Sequence, residues 1–160
     1  MNPPRVSRPA LVSAAGAVMV ALAGGLLTDI GPWYYALVQP TWKPPDWAFG
    51  PIWTFIFTLA AASAAIAWRE ATPWQRREVV ALFLVNSVLN VGWSGLYFAL
   101  RRPDWALIEV VFLWASVAWM AWRLRSVSQR AAWLLLPYLV WVSIAAALNL
   151  ETVRLNGPLI

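Results

Sequence analysis

The chain has 160 residues, 61% of them hydrophobic and only 12% charged, and a formal net charge of +5. Ordinary globular domains carry roughly 45–50% apolar and about 25% charged residues, so a water-solvated globule is excluded and a chain solvated largely by lipid is indicated. There is no Cys and no His, which removes disulfides, thiol nucleophiles, zinc sites, imidazole bases and the usual haem ligands together.

The charges punctuate the chain. Neutral runs of 20 to 22 residues span 9–28, 47–68, 79–100 and 131–150, and a fifth run, 105–122, is interrupted only by Glu109. A helix rising about 1.5 Å per residue needs roughly 20 residues to cross a hydrocarbon core of about 30 Å. Lipid forbids unpaired backbone, and the alternation of a barrel strand is absent. The reading is an all-α membrane protein. Five transmembrane helices, over about 9–29, 47–68, 79–100, 105–122 and 131–152, form one domain over 1–160.

The first run follows Arg5 and Arg8 as a signal peptide would. It exceeds the usual apolar stretch of about 7–15 residues and four more spans follow, so it reads as a retained helix. Ala17, Ala21 and Gly25 form a small-residue series suited to close helix contact.

Asp29 to Asp46 is the one long connection. Pro32, Pro40, Pro44 and Pro45 preclude a continuous helix and stiffen it, while Trp33, Tyr34, Tyr35, Trp42 and then Trp47 give it an aromatic surface. Two readings stand: a belt resting on the headgroups, or a lid over one end of the bundle. Lys43 reads as a solvated charge, with contact to a ligand carboxylate as the alternative.

In the second span Phe49, Trp53 and Phe57 recur every four residues along one stripe. In the third, Asn86, Asn90, Trp93 and Tyr97 share a face; in the fifth, Pro137, Trp141, Ala145 and Asn149 are four apart. Amides in hydrocarbon must find partners, so Asn86, Asn90 and Asn149 face the interior, where tying helices together is their default role. Glu109, four residues past Trp105, is within reach of Arg101, Arg102 or water, and a structural pair is expected rather than a proton relay. Trp68, Trp74, Trp122 and Trp133 lie beside arginines at span ends, as belt residues do. Trp105 fits either an interfacial anchor or a pocket wall, and Trp114 and Trp119 lie deeper with no preferred side.

The short connections 69–78, 101–104 and 123–130 predict antiparallel neighbours. With the N-terminus in the cytoplasm, that side collects eight basic residues (Arg5, Arg8, Arg69, Arg76, Arg77, Arg123, Arg125, Arg130). The other side collects four (Lys43, Arg101, Arg102, Arg154). This orientation follows the positive-inside bias. Arginines scattered over separate short loops do not make a nucleic-acid surface.

The segment W-Y-Y-A-L-V-Q-P-T-W-K-P-P-D-W-A-F-G-P-I-W-T (33–54) resembles the signature of the translocator protein family, the tryptophan-rich sensory proteins of bacteria. L-N-V-G-W (89–93), P-D-W-A-L (103–107), P-Y-L-V-W (137–141) and A-L-N (147–149) extend the resemblance from about Trp33 to Arg154. It implies a five-helix bundle in a bacterial cell membrane, a homodimer, and a pocket inside each protomer beneath the first loop. Porphyrins and benzodiazepine-type drugs are the ligands it implies, with no resident cofactor or metal. The positions it marks as ligand-binding are Tyr34, Pro44, Phe49, Trp53, Phe57, Asn90, Trp93, Tyr97, Trp105, Trp141 and Ala145. Any chemistry would be light-dependent porphyrin degradation, with Trp53 and Trp141 as its catalytic residues. The alternatives are a transporter or channel for porphyrins or small amphiphiles, and a sensor acting through a protein partner. The sterol-binding motif of the mitochondrial members needs an aromatic after A-L-N; Leu150 stands there, although Arg154 is retained, so sterol binding is not expected.

Overall fold

In the structure, a computed structural model that describes residues 7–157, each neutral run is largely helical. Arg5, counted above for orientation, lies outside the described residues. The five membrane-length helices are α1 (Arg8–Leu27), α3 (Asp46–Glu70), α4 (Pro73–Ser94, continued by a widened π turn Gly95–Ala99), α5 (Pro103–Leu124) and α7 (Leu136–Asn156). Two short helices punctuate the connections: α2 (Pro32–Ala36) in the long loop and α6 (Gln129–Trp133) before α7.

The helices start where local chemistry starts them, and this shifts several bounds from those expected. The third span begins at Pro73 rather than at 79, because Thr72 and Gln75 form a reciprocal capping box and proline suits a first turn whose N–H has no partner. Arg76, Arg77 and Glu78 therefore ride on a helix that projects past the hydrocarbon. The fourth span opens at Pro103, where the proline fits the first turn although no side chain caps it. Between them Arg101 adopts φ 54°, the left-handed conformation that ends many helices. The Arg102 amide then donates back to the Leu96 carbonyl at 2.9 Å. The fifth run is divided, with α6 closed before Leu136 and Pro137 in the first turn of α7.

The long helices form a ring. α1 packs along α3 and against α4, α4 on α5, and α5 on α7, while α3 meets α6 and α7. The Ser63 hydroxyl helps close it by donating to the Ala131 carbonyl at 2.8 Å. The short 101–104 and 123–130 connections do join extensively packed neighbours. The 71–72 connection does not: α3 and α4 pack together much less than either packs on its main partner. Ala67, Ala71 and Val79 meet near their junction, and α1 packs against both helices.

Three apolar clusters are stacked along the ring. One, at the arginine-rich end, joins Ala67, Met120, Leu124 and Leu135. The middle one joins Ile56, Leu113, Val117, Tyr138 and Trp141. The third lies under the long loop around Tyr34, Tyr97 and Ala106. Helix α1 contributes no buried residue.

Asn149 ties three helices together. Its amide donates to the Pro103 carbonyl at 2.8 Å and its oxygen accepts from Trp93 Nε1 at 3.2 Å. Replacing it orphans both partners, so Asn149→Leu is expected to lower stability by about 1–2 kcal/mol. An unchanged unfolding midpoint in detergent–SDS titration would contradict this role.

Candidate functional site

The long connection is folded down over the end of the ring. Tyr34, Leu37 and Pro40 are buried, while Trp42 and Trp47 face outward, so the loop has a covering face and an aromatic outer face. Lys43 is not the solvated charge expected from the sequence. Its side chain is 16% exposed and pairs with Asp46, because the turn through Pro44 and Pro45 returns it to the start of α3. Its ammonium also donates to the Tyr34 hydroxyl at 2.9 Å, and that hydroxyl donates to Asp46 Oδ1 at 3.1 Å. Burial pushes the Tyr34 pKa up against the opposing pull of Lys43. For Lys43 burial opposes the charge, but the hydrogen bonds to Asp46 and Tyr34 outweigh it and hold its pKa above 10.5. The lysine and the phenol thus keep their protons, and the triad its donors, throughout the neutral range.

A second fastening is remote in sequence. Asn156, at the end of α7, accepts from the Val38 amide at 2.9 Å and donates to the Val38 carbonyl at 3.0 Å. This side chain pairs with the loop as a neighbouring strand would.

Beneath the loop the aromatic stripes converge. Phe49 lies 5.6 Å from Trp141, Trp53 stacks on Phe57 at 5.2 Å, and Trp53 meets Trp141 edge to face at 6.4 Å. Nearer the loop Trp93 packs on Tyr97 at 5.1 Å, and Tyr97 meets Trp33 at 6.4 Å. Trp93 borders both groups. Trp53 also meets Tyr138 at 6.2 Å.

Polar groups thread this aromatic interior. Asn90 donates to the Tyr138 hydroxyl at 2.9 Å, which donates to Asn86 Oδ1 at 3.1 Å. The Asn86 amide donates to Ser116 at 2.9 Å, and Ser116 to the Leu113 carbonyl at 2.7 Å. Two groups stand outside the thread. Trp141 Nε1 and both oxygens of Glu109 are enclosed and have no hydrogen-bond partner among the described residues. The expected pairing of Glu109 with Arg101 or Arg102 does not form. Arg102 is taken by Asp104, two residues along, with Nε to Oδ1 at 2.8 Å, and Arg101 faces Asp29 at 3.9 Å. Glu109 lies more than a turn deeper on α5.

Among the expected positions, Phe49, Trp53, Phe57 and Trp141 form one group, and Tyr34, Trp93 and Tyr97 lie in the other. Asn90 joins them through Tyr138. Pro44 is half-buried beside Lys43, and Ala145 is half-buried a turn beyond Trp141. Trp105 stands apart, 51% exposed with Arg102 over its ring at 4.6 Å, in the anchor position. Trp114 and Trp119 face outward, Trp114 donating to Ser143 at 2.9 Å. A cavity of about 430 Å³ lies not directly beneath the loop but beyond Phe57, towards the arginine-rich end, between α1, α3 and α4. Sequence reading missed Tyr138, which sits one residue past the Pro137–Trp141 stripe, and Asn156; an amide at a helix end carries no periodic signal.

The model of the TspO/MBR family matches residues 11–155. The chain is 39% identical over 142 residues to the tryptophan-rich protein TspO of Chlorobaculum tepidum, covering 86% of this chain and 89% of that protein. It is 34% identical over 149 residues to the translocator protein of Sus scrofa, covering 88% of each. With the tryptophan-rich sensory protein of Cereibacter sphaeroides the identity is 32% over 133 residues, covering 82% of each.

Asn156→Ala removes one side of the loop fastening. Losing a hydrogen-bonded pair worth about 1 kcal/mol is expected to speed hydrogen exchange at the Val38 amide about fivefold, leaving α5 amides unchanged. Equal exchange in both proteins would show that Asn156 does not hold the loop.

Proposed function

The chain belongs to the TspO/MBR family, and from that premise we propose that it is a multi-pass membrane receptor for porphyrins and benzodiazepine-type ligands, bound among the aromatic side chains under its long loop. One observation carries the reading: the buried, unpartnered Trp141 Nε1, set between Phe49 and Trp53. A buried donor without an acceptor costs about 1–3 kcal/mol, and a planar ligand with an acceptor on its edge would recover that loss. Its π face would stack on Trp53 and Phe57, as aromatic ligands do in largely apolar sites.

The ligand of this reading is a metal-free tetrapyrrole, because a sequence with no His and no Cys offers neither the imidazole nor the thiolate that commonly holds haem iron. At the Lys43–Asp46–Tyr34 triad, the ammonium hydrogen not used by Asp46 or Tyr34 would meet a ligand carboxylate. Under light, oxidation of the bound porphyrin by dioxygen is the accompanying chemistry, with Trp53 and Trp141 as the oxidisable side chains in contact. The protein acts as a homodimer in a bacterial cell membrane with its N-terminus in the cytoplasm.

Protoporphyrin is expected to quench the intrinsic tryptophan fluorescence saturably. Trp141→Phe, which keeps an aromatic ring but removes the indole N–H, should raise the Kd about fivefold, and Asn90→Ala should weaken binding similarly. Under illumination, Trp53→Phe and Trp141→Phe should slow the loss of porphyrin absorbance. Non-saturable quenching would overturn the binding site, and unchanged loss of absorbance in both variants would overturn the role of the two tryptophans. Because the chain has no Cys of its own, single cysteines at Pro3 and Pro158 report orientation directly. The outer one should label at Pro158 with a membrane-impermeant maleimide; labelling at Pro3 instead would reverse the topology.

A further inference from the structure

The cavity between α1, α3 and α4 is distinct from the aromatic site and borders it at Phe57, Asn86 and Tyr138. Its walls are almost wholly apolar. Of the polar side chains that reach it, Asn86 and Tyr138 are bonded to each other, Ser87 donates to the Phe83 carbonyl at 2.7 Å, and Arg8, Ser13 and Trp68 complete the set. These are few against so much apolar wall, and apolar cavities stay dry.

The cavity also faces the bilayer. Val12, Val80 and Leu84 form part of its lining and are 72%, 43% and 61% exposed, on helices long enough to span the membrane. Hydrocarbon is therefore the solvent at its mouth. Arg8, in the first turn of α1, also lines it. Seven of the described arginines stand at this end of the ring against two acids, Glu70 and Glu78, and Glu78 is held by Arg123. Gly16 lines the back of the space, and a Cβ built there meets nothing within 4 Å.

We infer that this cavity is a lipid site, taking one acyl chain of an anionic phospholipid whose phosphate is met by Arg8. The chain enters laterally between α1 and α4 and lies along the alanine-lined wall of α3 (Ala60, Ala61, Ala64). The head group stays at the arginine-rich surface, where each basic side chain attracts anionic lipid by about 1 kcal/mol. The occupant supplies the packing that α1, with no buried residue of its own, lacks on this side.

Native mass spectrometry of the full chain, mixed with equal amounts of dioleoyl phosphatidylglycerol and dioleoyl phosphatidylcholine, tests this. One phosphatidylglycerol should be retained per chain. Arg8→Gln should reduce the preference over phosphatidylcholine about fivefold. Gly16→Phe and, from the opposite wall, Ala61→Phe should lose the retained lipid while helical content by circular dichroism stays unchanged. Retention in either folded filling variant would overturn the cavity as the site, and equal retention of the two lipids by the unmodified chain would overturn the role of Arg8. Oleate retained in place of phosphatidylglycerol would make a free fatty acid the occupant and overturn the phospholipid assignment. Protoporphyrin quenching should persist in Gly16→Phe; its loss would place the porphyrin in this cavity and overturn the lipid reading, whereas failure of porphyrin to bind at all leaves the lipid measurement intact.

Discussion

The hydroxyl of Tyr138 holds the centre of this bundle. Tyr138 as a whole is 2% exposed, in a region where an unpaired polar group has no water to turn to. It accepts from Asn90 and donates to Asn86, which passes the chain on to Ser116 and the Leu113 carbonyl. Every link points the same way, so each bond polarises the next. The chain also crosses from α4 to α7 and back through α4 to α5. In hydrocarbon, apolar side chains gain little by turning from lipid to protein, and directional polar contacts and close packing must fix which helix faces which. The register of α4, α5 and α7 follows from this thread and from Asn149 beyond it.

Against that background the two unsatisfied groups stand out. Elsewhere the interior polar side chains are paired, yet Trp141 Nε1 and the Glu109 carboxylate have no partner among the described residues. Trp141 meets aromatic rings from α3 in the middle cluster, one layer below the side chains that the loop covers. The loop is itself fastened at two places far apart in sequence, by the Lys43–Asp46–Tyr34 triad and by Asn156. A covered aromatic interior with an unused donor is suited to a flat ligand that brings its own acceptor.

The two ends of the ring are built differently. Under the loop, aromatic side chains fill the interior and α4, α5 and α7 are tied by amides. At the arginine-rich end, alanines on α3 and glycine on α1 leave open volume, and α1 is held without burying any residue. Small side chains let helices approach closely, but where no larger side chain reaches across from the facing helix they leave a void. The contrast separates the proposed place for a planar ligand from the proposed place for an acyl chain.

The spacing of charge alone determined that five helices cross the membrane, because the hydrocarbon thickness fixes the length of any neutral run that spans it. The aromatic stripes and interior amides were legible for the same reason, since helical period decides which residues share a face. Helix starts were misjudged where the cue was a cap, as at Thr72 and Gln75, and not a change of charge. The partners were not legible. Lys43 finds Asp46 and Tyr34 only through the turn at Pro44 and Pro45, Glu109 loses Arg102 to the nearer Asp104, and Asn156 reaches Val38 across 118 residues of chain. Likewise a two-residue connection does not reveal how little α3 and α4 pack on each other. Such pairings depend on which helices end up adjacent around the ring, and that is set by packing and hydrogen bonds between segments distant in sequence, so only the tertiary structure decided them.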